Sequence, residues 1–260
     1  MISRVGAVAT PVLYHIKVSH YNEKVRWALD YKGIPHVRKA PPPPFHTAWA
    51  FAMTRTVTFP VLKLNGGSIG DSTQIIEALE RSHPEPALYP AEPAERALAL
   101  ELEEFFDEEL APHIRRALFA EVTRDPDAFA WALAPTAGRA VHAGFKSTAA
   151  LAGPLVRLRY GINEESTDQG WDKTVAAMDR LESELGGRDY LVGDSFTVAD
   201  LTAAAIFHPL VRPAEAQYEL PEPLPEALVR RRSELASRPG FKWVQDTYRR
   251  HRGQSAEVPA

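Results

Sequence analysis

Residues 11–39 read Pro11-Val12-Leu13-Tyr14-His15-Ile16-Lys17-Val18-Ser19-His20-Tyr21-Asn22-Glu23-Lys24-Val25-Arg26-Trp27-Ala28-Leu29-Asp30-Tyr31-Lys32-Gly33-Ile34-Pro35-His36-Val37-Arg38-Lys39. The run from Pro11 to Ile16 is strand-like. From Tyr21, apolar residues return at Val25, Ala28 and Leu29, the i, i+4, i+7, i+8 spacing of one helix face. Gly33 with Pro35 just beyond it ends that helix, and His36-Val37-Arg38-Lys39 reads as a short second strand. This is a βαβ unit. Ser19 falls at the junction of the first strand and the helix. Unpaired N–H groups in a first helical turn and the positive end of the helix dipole favour an anion there, and a thiolate is one such anion. A serine in this position is equally a helix cap.

Further along, Ala40-Pro41-Pro42-Pro43-Pro44 is predicted to be a stiff, irregular surface loop. Val61-Leu62-Lys63-Leu64, then Asn65-Gly66-Gly67, then Ser68-Ile69 predicts a hairpin, because Asn-Gly supplies the positive φ angles of a tight turn. Asp71 with Gln74 three residues later is a capping-box pattern, and Ile75, Ile76 and Leu79 form the buried stripe of the helix it opens. The first part of the chain therefore runs βαβ, loop, ββα.

His83 to Pro93 is proline-rich and aperiodic, the composition of a linker. Beyond it the periodicity is helical. Leu98, Leu102, Phe105 and Phe106 mark one long helix, and Val175, Met178, Leu181 and Leu185 mark another that stops at Gly186-Gly187. Thr197-Val198-Ala199-Asp200 opens an Ala-rich helix with a Thr-x-x-Asp arrangement suited to capping. The expected domains are residues 1–82, a linker over 83–93, and an all-α domain over 94–260.

Composition narrows the function. A chain of 260 residues, 45% apolar and 25% charged, is ordinary for a folded protein of two modest domains. With 30 Lys plus Arg against 34 Asp plus Glu the formal net charge is -4, so no global positive field draws in nucleic acid. There is no cysteine, which excludes disulfides, thiolate metal sites and a protein thiol as nucleophile. Met1 to Thr10 holds too short an apolar run for a signal peptide, and nowhere do about 18 apolar residues run together. The expectation is an intracellular, cytoplasmic protein with no membrane partner. Glu101, Glu104 and Glu108 share a helical face with no histidine at ligand spacing, which reads as a solvated face, and no metal is expected. His15, His113 and His208 form no motif. His20 beside Ser19 does not make a nucleophile-base pair, since helical neighbours point about 100° apart.

Three segments carry a resemblance to the glutathione transferase superfamily: Ser19-His20-Tyr21-Asn22-Glu23-Lys24-Val25-Arg26, Thr58-Phe59-Pro60-Val61 with Asp71-Ser72, and Thr197-Val198-Ala199-Asp200. It implies a thioredoxin-like α/β N-terminal domain followed by an all-helical C-terminal domain. By the register of Val25-Arg26, Ser19 occupies the slot whose hydroxyl, in Ser-type members, hydrogen-bonds the glutathione sulfur and favours its thiolate. Tyr14 is the rival, because Tyr-type members carry their hydroxyl near the end of the first strand. The resemblance further implies a cis proline at Pro60, with Phe59 pairing its N–H and C=O with the cysteinyl backbone of glutathione. Asp71 and Ser72 would hold the γ-glutamyl end, a role that does not exclude capping.

The family's usual Asn-Pro-x-Gly approach to that proline is replaced here by Thr54-Arg55-Thr56-Val57. Arg55 is the candidate for a carboxylate at the glycyl end. Arginine outnumbers lysine, the bias of a GC-rich genome, and the expected thiol is glutathione or another low-molecular-weight thiol in its place. The resemblance implies a transferase that activates the thiolate toward a small hydrophobic electrophile, and a homodimer. The alternative is a non-catalytic member of the fold that carries an apolar ligand or haem, or mediates assembly. Phe129, Trp131, Phe145, Leu151, Leu155, Leu158 and Tyr160 lie in a segment longer than a compact transferase needs. They are expected mostly to pack a core, with a second-substrate pocket as their other use.

Overall fold

The computed structural model describes residues 9–41, 45–133, 139–220, 222 and 224–260. Pro42 to Pro44 of the proline tract and the first eight residues lie outside them. Contacts divide the chain into one unit that reaches to Pro86 and takes in Gln254–Ala260, and a second unit over Ala87–Gly253.

The first unit begins with β1 (Val12–Tyr14), α1 (His20–Tyr31) and β2 (Val37–Lys39), the predicted βαβ with β1 and β2 parallel. Helix α1 stops as Gly33 suggested. Gly33 takes φ +60°, its N–H bonds the Asp30 carbonyl at 3.0 Å, and the Ile34 N–H bonds the Leu29 carbonyl at 3.0 Å. This 6→1 and 5→2 pair satisfies carbonyls that the last turn leaves open.

A helix that the sequence reading lacks, α2 (Phe45–Thr54), follows the proline tract. Then come β3 (Val61–Leu64) and β4 (Gly67–Gly70), joined by Asn65 at φ +51° and Gly66 at φ +83°, and α3 (Ser72–Ser82). The sheet order is β2-β1-β3-β4, with β3 antiparallel to both of its neighbours. Ile75, Ile76 and Leu79 of α3 are fully buried, as the stripe predicted.

The tail pairs with the chain at the entry to β2. His36 bridges Glu257, the Val258 N–H donates to the His36 carbonyl at 2.9 Å, and the Ala256 N–H donates to Asp30 Oδ1 at 2.8 Å. Asp30 also takes two bonds from the Arg38 guanidinium, at 2.7 and 2.8 Å.

The second unit is helical: α4 (Pro93–Glu104), a π-helical turn (Phe105–Leu110), α5 (Ala111–Val122), α6 (Pro126–Leu133), α7 (Arg139–Tyr160), α8 (Glu164–Leu185), α9 (Val198–Val211), α10 (Glu226–Leu235) and α11 (Pro239–His251). The first helix predicted there is thus interrupted at Phe105 by a π-turn that shifts the face presented to the core. Leu102, Phe106 and Leu110 are all fully buried across it. Helices α5 and α8 approach closely at Gly170, where a Cβ would lie 2.8 Å from the His113 carbonyl oxygen. The proline-rich stretch before α4 carries no helix or strand, but Leu88 and Tyr89 are buried and the Leu88 carbonyl takes the Val198 N–H at 2.8 Å.

Two packing expectations are corrected. Val175 is 39% exposed, on the outer face of α8. Of the residues expected mostly in the core between 120 and 170, Phe129 is buried, but Leu151, Leu155 and Leu158 are 77%, 66% and 80% exposed along α7. Their i, i+4, i+7 spacing does form a single helix face, but that face is turned to solvent while α7 packs on α6.

Candidate functional site

The strand register decides what meets in the first unit. Tyr14 of β1 pairs with Val61 of β3, and Val61 pairs with Gly70 of β4, so these three residues form one row across the sheet. Because β3 runs opposite to β1 and β4, the chain leaves β1 and β4 at the edge where it enters β3. Ser19 beyond Tyr14, Phe59-Pro60 before Val61, and Asp71-Ser72 after Gly70 therefore converge on one sheet edge. Two helices, α1 and α3, begin at this edge and point their unpaired N–H groups toward it.

Ser19 is the N-cap of α1, with φ −82° and ψ 129°, yet its side chain makes no capping bond. Its Oγ instead accepts a hydrogen bond from Asn22 Nδ2 at 2.7 Å. Asn22 is fully buried. It also accepts the Ile16 N–H at 3.1 Å and donates to the Phe59 carbonyl at 3.3 Å. The Phe59–Pro60 peptide is cis. The ring of Phe59 packs in a cluster with Tyr14, Ala50 and Val61.

Asp71 caps α3. Its Oδ1 takes the N–H of Thr73 at 3.0 Å and of Gln74 at 3.1 Å, while its backbone holds φ +71° and ψ 133°. A non-glycine residue in that region is strained, and strained residues concentrate where a site demands a particular backbone direction. Ser72 beside it is 4% exposed. The fully buried Lys24 donates from Nζ to Thr73 Oγ1 at 3.1 Å, tying α1 to the first turn of α3.

The other two predicted residues stand differently. Arg55, at φ +62°, is exposed, and its guanidinium lies 5.5 Å over the ring of Phe51. Tyr14 is 4% exposed, its ring 5.7 Å from Trp49 and 6.2 Å from Phe59. Ser19 and Phe59 are thus joined through one side chain, Asp71 and Ser72 open the neighbouring helix, and Arg55 is exposed just past the end of α2.

Sequence reasoning missed the polar stripe of α1. Asn22, Arg26 and Asp30 recur at i, i+4, i+8, and all three are buried. Arg26 donates to His15 Nδ1 at 2.9 Å, to the Ile16 carbonyl at 3.2 Å and to the Lys17 carbonyl at 3.0 Å, and pairs with Glu23 at 2.7 Å. One guanidinium so fixes the loop that delivers Ser19. The signal was in the sequence as a second period-four pattern, hidden because burial was read from apolar residues alone. Burial, reinforced by Arg26, Arg38 and Lys17, holds His15 well below its ordinary pKa. Burial also lowers His46 on α2, whose ring lies 6.0 Å from that of Phe59.

Elsewhere, the helical unit carries a cavity of about 480 Å³ lined by charged residues such as Arg124, Asp168 and Arg231 around Trp171. Glu101, Glu104 and Glu108 are all exposed. Among the described residues no group of three or more His, Asp or Glu side chains is placed to hold a metal ion, and no helix is long and apolar enough to cross a membrane.

The glutathione S-transferase N-terminal domain model matches residues 13–87, and the glutathione S-transferase C-terminal domain model matches residues 164–229. Together they cover more than half of the chain. The sequence has no match among curated proteins. Among solved structures, it is similar to the β-etherase LigF of Sphingobium sp. strain SYK-6, at 25% identity over 92% of this chain and 99% of that one, with a TM-score of 0.62. A glutathione S-transferase of Pseudomonas fluorescens is 19% identical over 96% and 98% of the two chains, with a TM-score of 0.61. A glutathione S-transferase of Methylobacterium radiotolerans, solved in complex with glutathione sulfonate, is 23% identical over 90% and 93%, with a TM-score of 0.54. The last two likenesses speak for the fold. With its small mixed sheet followed by helices and both domain models matched, the chain belongs to the glutathione S-transferase superfamily.

Proposed function

We propose that this protein is a transferase that binds glutathione, or a related low-molecular-weight thiol, at the edge marked by Ser19, Phe59-Pro60 and Asp71-Ser72, and stabilises its thiolate through the Ser19 hydroxyl. The observation that carries the reading is the row Tyr14–Val61–Gly70, which brings these three segments together. The absence of a backbone cap bond from Ser19 supports it, because the hydroxyl accepts only from the Asn22 side chain and keeps its proton to donate. At Asp71 the cap uses only Oδ1, which leaves the second carboxylate oxygen for the ammonium of a γ-glutamyl group. The N–H groups opening α3 suit the accompanying carboxylate. Phe59 would pair with the cysteinyl backbone and Arg55 would reach a glycyl carboxylate.

A charge-assisted hydrogen bond is worth ~1.5 to 3 kcal/mol, equivalent to ~1 to 2 pKa units. A thiol of ordinary pKa ~8.5 then becomes substantially ionised near neutrality. The activated sulfur forms a bond to an electrophilic carbon while the leaving group departs with its bonding electrons, and proximity supplies much of the acceleration. Phe45, Trp49 and Phe51 expose apolar surface on α2, in keeping with a hydrophobic electrophile, and the likeness to a β-etherase puts ethers among those to screen. Membership of the superfamily extends the proposal to a cytoplasmic homodimer.

The test is a thiolate-absorbance titration of bound glutathione across pH. The wild-type protein is expected to depress the thiol pKa and Ser19→Ala to raise it by ~1 to 2 units. Failure of glutathione to bind would leave either another low-molecular-weight thiol or none at the site, and would move the apolar carrier ahead.

A further inference from the structure

We infer that Asn22 is a positioning residue that forces the Ser19 hydroxyl to donate its proton outward, and that holds this hydroxyl in register with the Phe59 peptide. The inference rests on the thiol-activating reading of Ser19.

The argument begins with which end of the Asn22 amide faces which neighbour. The Ile16 N–H can only donate and the Phe59 carbonyl can only accept. Oδ1 therefore faces Ile16, at 3.1 Å, and Nδ2 faces Phe59, at 3.3 Å. The reversed amide would set two donors against each other at Ile16 and two acceptors against each other at Phe59, inside a fully buried site where such mismatches are expensive.

With the amide so oriented, the atom 2.7 Å from Ser19 Oγ is an N–H donor. A hydroxyl has one proton and two lone pairs. Here a lone pair is occupied by Asn22, so the proton cannot be directed back at that partner and is held for a different acceptor. Accepting a hydrogen bond also polarises the O–H and strengthens it as a donor. The same amide bridges three segments, the first part of the β1–α1 loop at Ile16, the start of α1 at Ser19 and the entry to β3 at Phe59. The spacing between the hydroxyl and the Phe59 peptide is thereby set by one planar group.

Asn22→Asp tests this with little change of shape. The carboxylate still accepts from Ile16, but it presents an acceptor to Ser19, which then donates inward. The bound glutathione thiol is expected to titrate ~1 to 2 units higher than in wild type, as in Ser19→Ala, and the double variant Ser19→Ala with Asn22→Asp to match Ser19→Ala alone. Should Asn22→Asp not fold, Asn22→Ala serves. It is expected to raise the thiol pKa by less than Ser19→Ala does, and to have no further effect once Ser19 is gone.

A raised pKa in Ser19→Ala alongside an unchanged one in both Asn22 variants would overturn this inference and leave the reading of Ser19 standing. An effect of Asn22 that persists in the Ser19→Ala background would overturn it too. If Ser19→Ala itself left the thiol pKa at the wild-type value, the activating reading would fail and the inference with it.

Discussion

The Arg26 guanidinium donates to Nδ1 of His15 at 2.9 Å, with both side chains about 1% exposed. Arginine has no acceptor to offer, so Nδ1 accepts and the imidazole proton sits on Nε2. Folding thus demands a neutral His15, whereas the unfolded chain protonates it below about its ordinary pKa of 6.5. Below that pH the unfolded state binds more protons, so stability falls on acidification, by at most about 1.4 kcal/mol per pH unit for this one group. Burial shifts His36, His113 and His251 the same way. Asp200 acts in the opposite sense, because burial pushes it up to about 6 from 3.8, and its contribution favours the folded state more as pH drops through that window. His15→Asn keeps an acceptor for Arg26, and its melting temperature is expected to fall less between pH 7 and pH 5 than that of the wild type.

Arg26→Ala takes away the 2.7 Å ion pair of Glu23, itself 1% exposed, and the guanidinium donors of two loop carbonyls. Breaking a buried pair from one side typically costs about 3 to 5 kcal/mol. Lysine lacks the fork that reaches His15, Ile16, Lys17 and Glu23 together, so Arg26→Lys is expected to recover only part of the loss in urea denaturation.

Gly170 and Gly144 should respond with opposite signs to alanine. Alanine gains roughly 0.5 to 1 kcal/mol over glycine within a helix. At Gly144 nothing lies within 4 Å of the added Cβ, so that gain is expected in full. At Gly170 the Cβ meets backbone oxygen at 2.8 Å and the Ala117 Cβ at 3.1 Å. Overpacking of this kind costs about 1 to 3 kcal/mol, and a net destabilisation should appear in the denaturation midpoint.

Thr197 donates its hydroxyl and its N–H to Asp200 Oδ2, each at 2.8 Å, at the buried start of α9. Thr197→Ala is expected to lower stability by about 1 to 2 kcal/mol. Unchanged stability would contradict this role.

Local chemistry explains what the sequence revealed and what it hid. Gly33, Asn65-Gly66 and Asp71 each act on their immediate neighbours, so the ends of α1, the hairpin and the start of α3 could be read directly. That Ser19, Phe59-Pro60 and Asp71 come to one edge then follows from the alternating strand directions. Helix α2 gave no such signal. Apolar residues run unbroken from Ala48 to Met53, so no polar face sets off a stripe, and in the structure Phe45, Trp49 and Phe51 are half exposed or more while only Ala50 is buried. Asn22 was hidden for a related reason, since a buried amide with partners at Ile16 and Phe59 is defined by contacts up to 37 residues away. The exposed leucines of α7 show the converse failure, a regular apolar spacing that does not point inward.

The bridge between His36 and Glu257 also bears on how the protein is made. The entire helical unit is translated between β2 and the tail that flanks it. At 5 to 20 residues per second, that is a delay of roughly ten to thirty seconds. Throughout it the nascent sheet offers the ribosome's surroundings an open strand edge, the feature that invites pairing with other chains. Pairing at the entry to β2 is therefore set by codons read after the whole helical unit, and a chain that stopped before Gln254 would lack it.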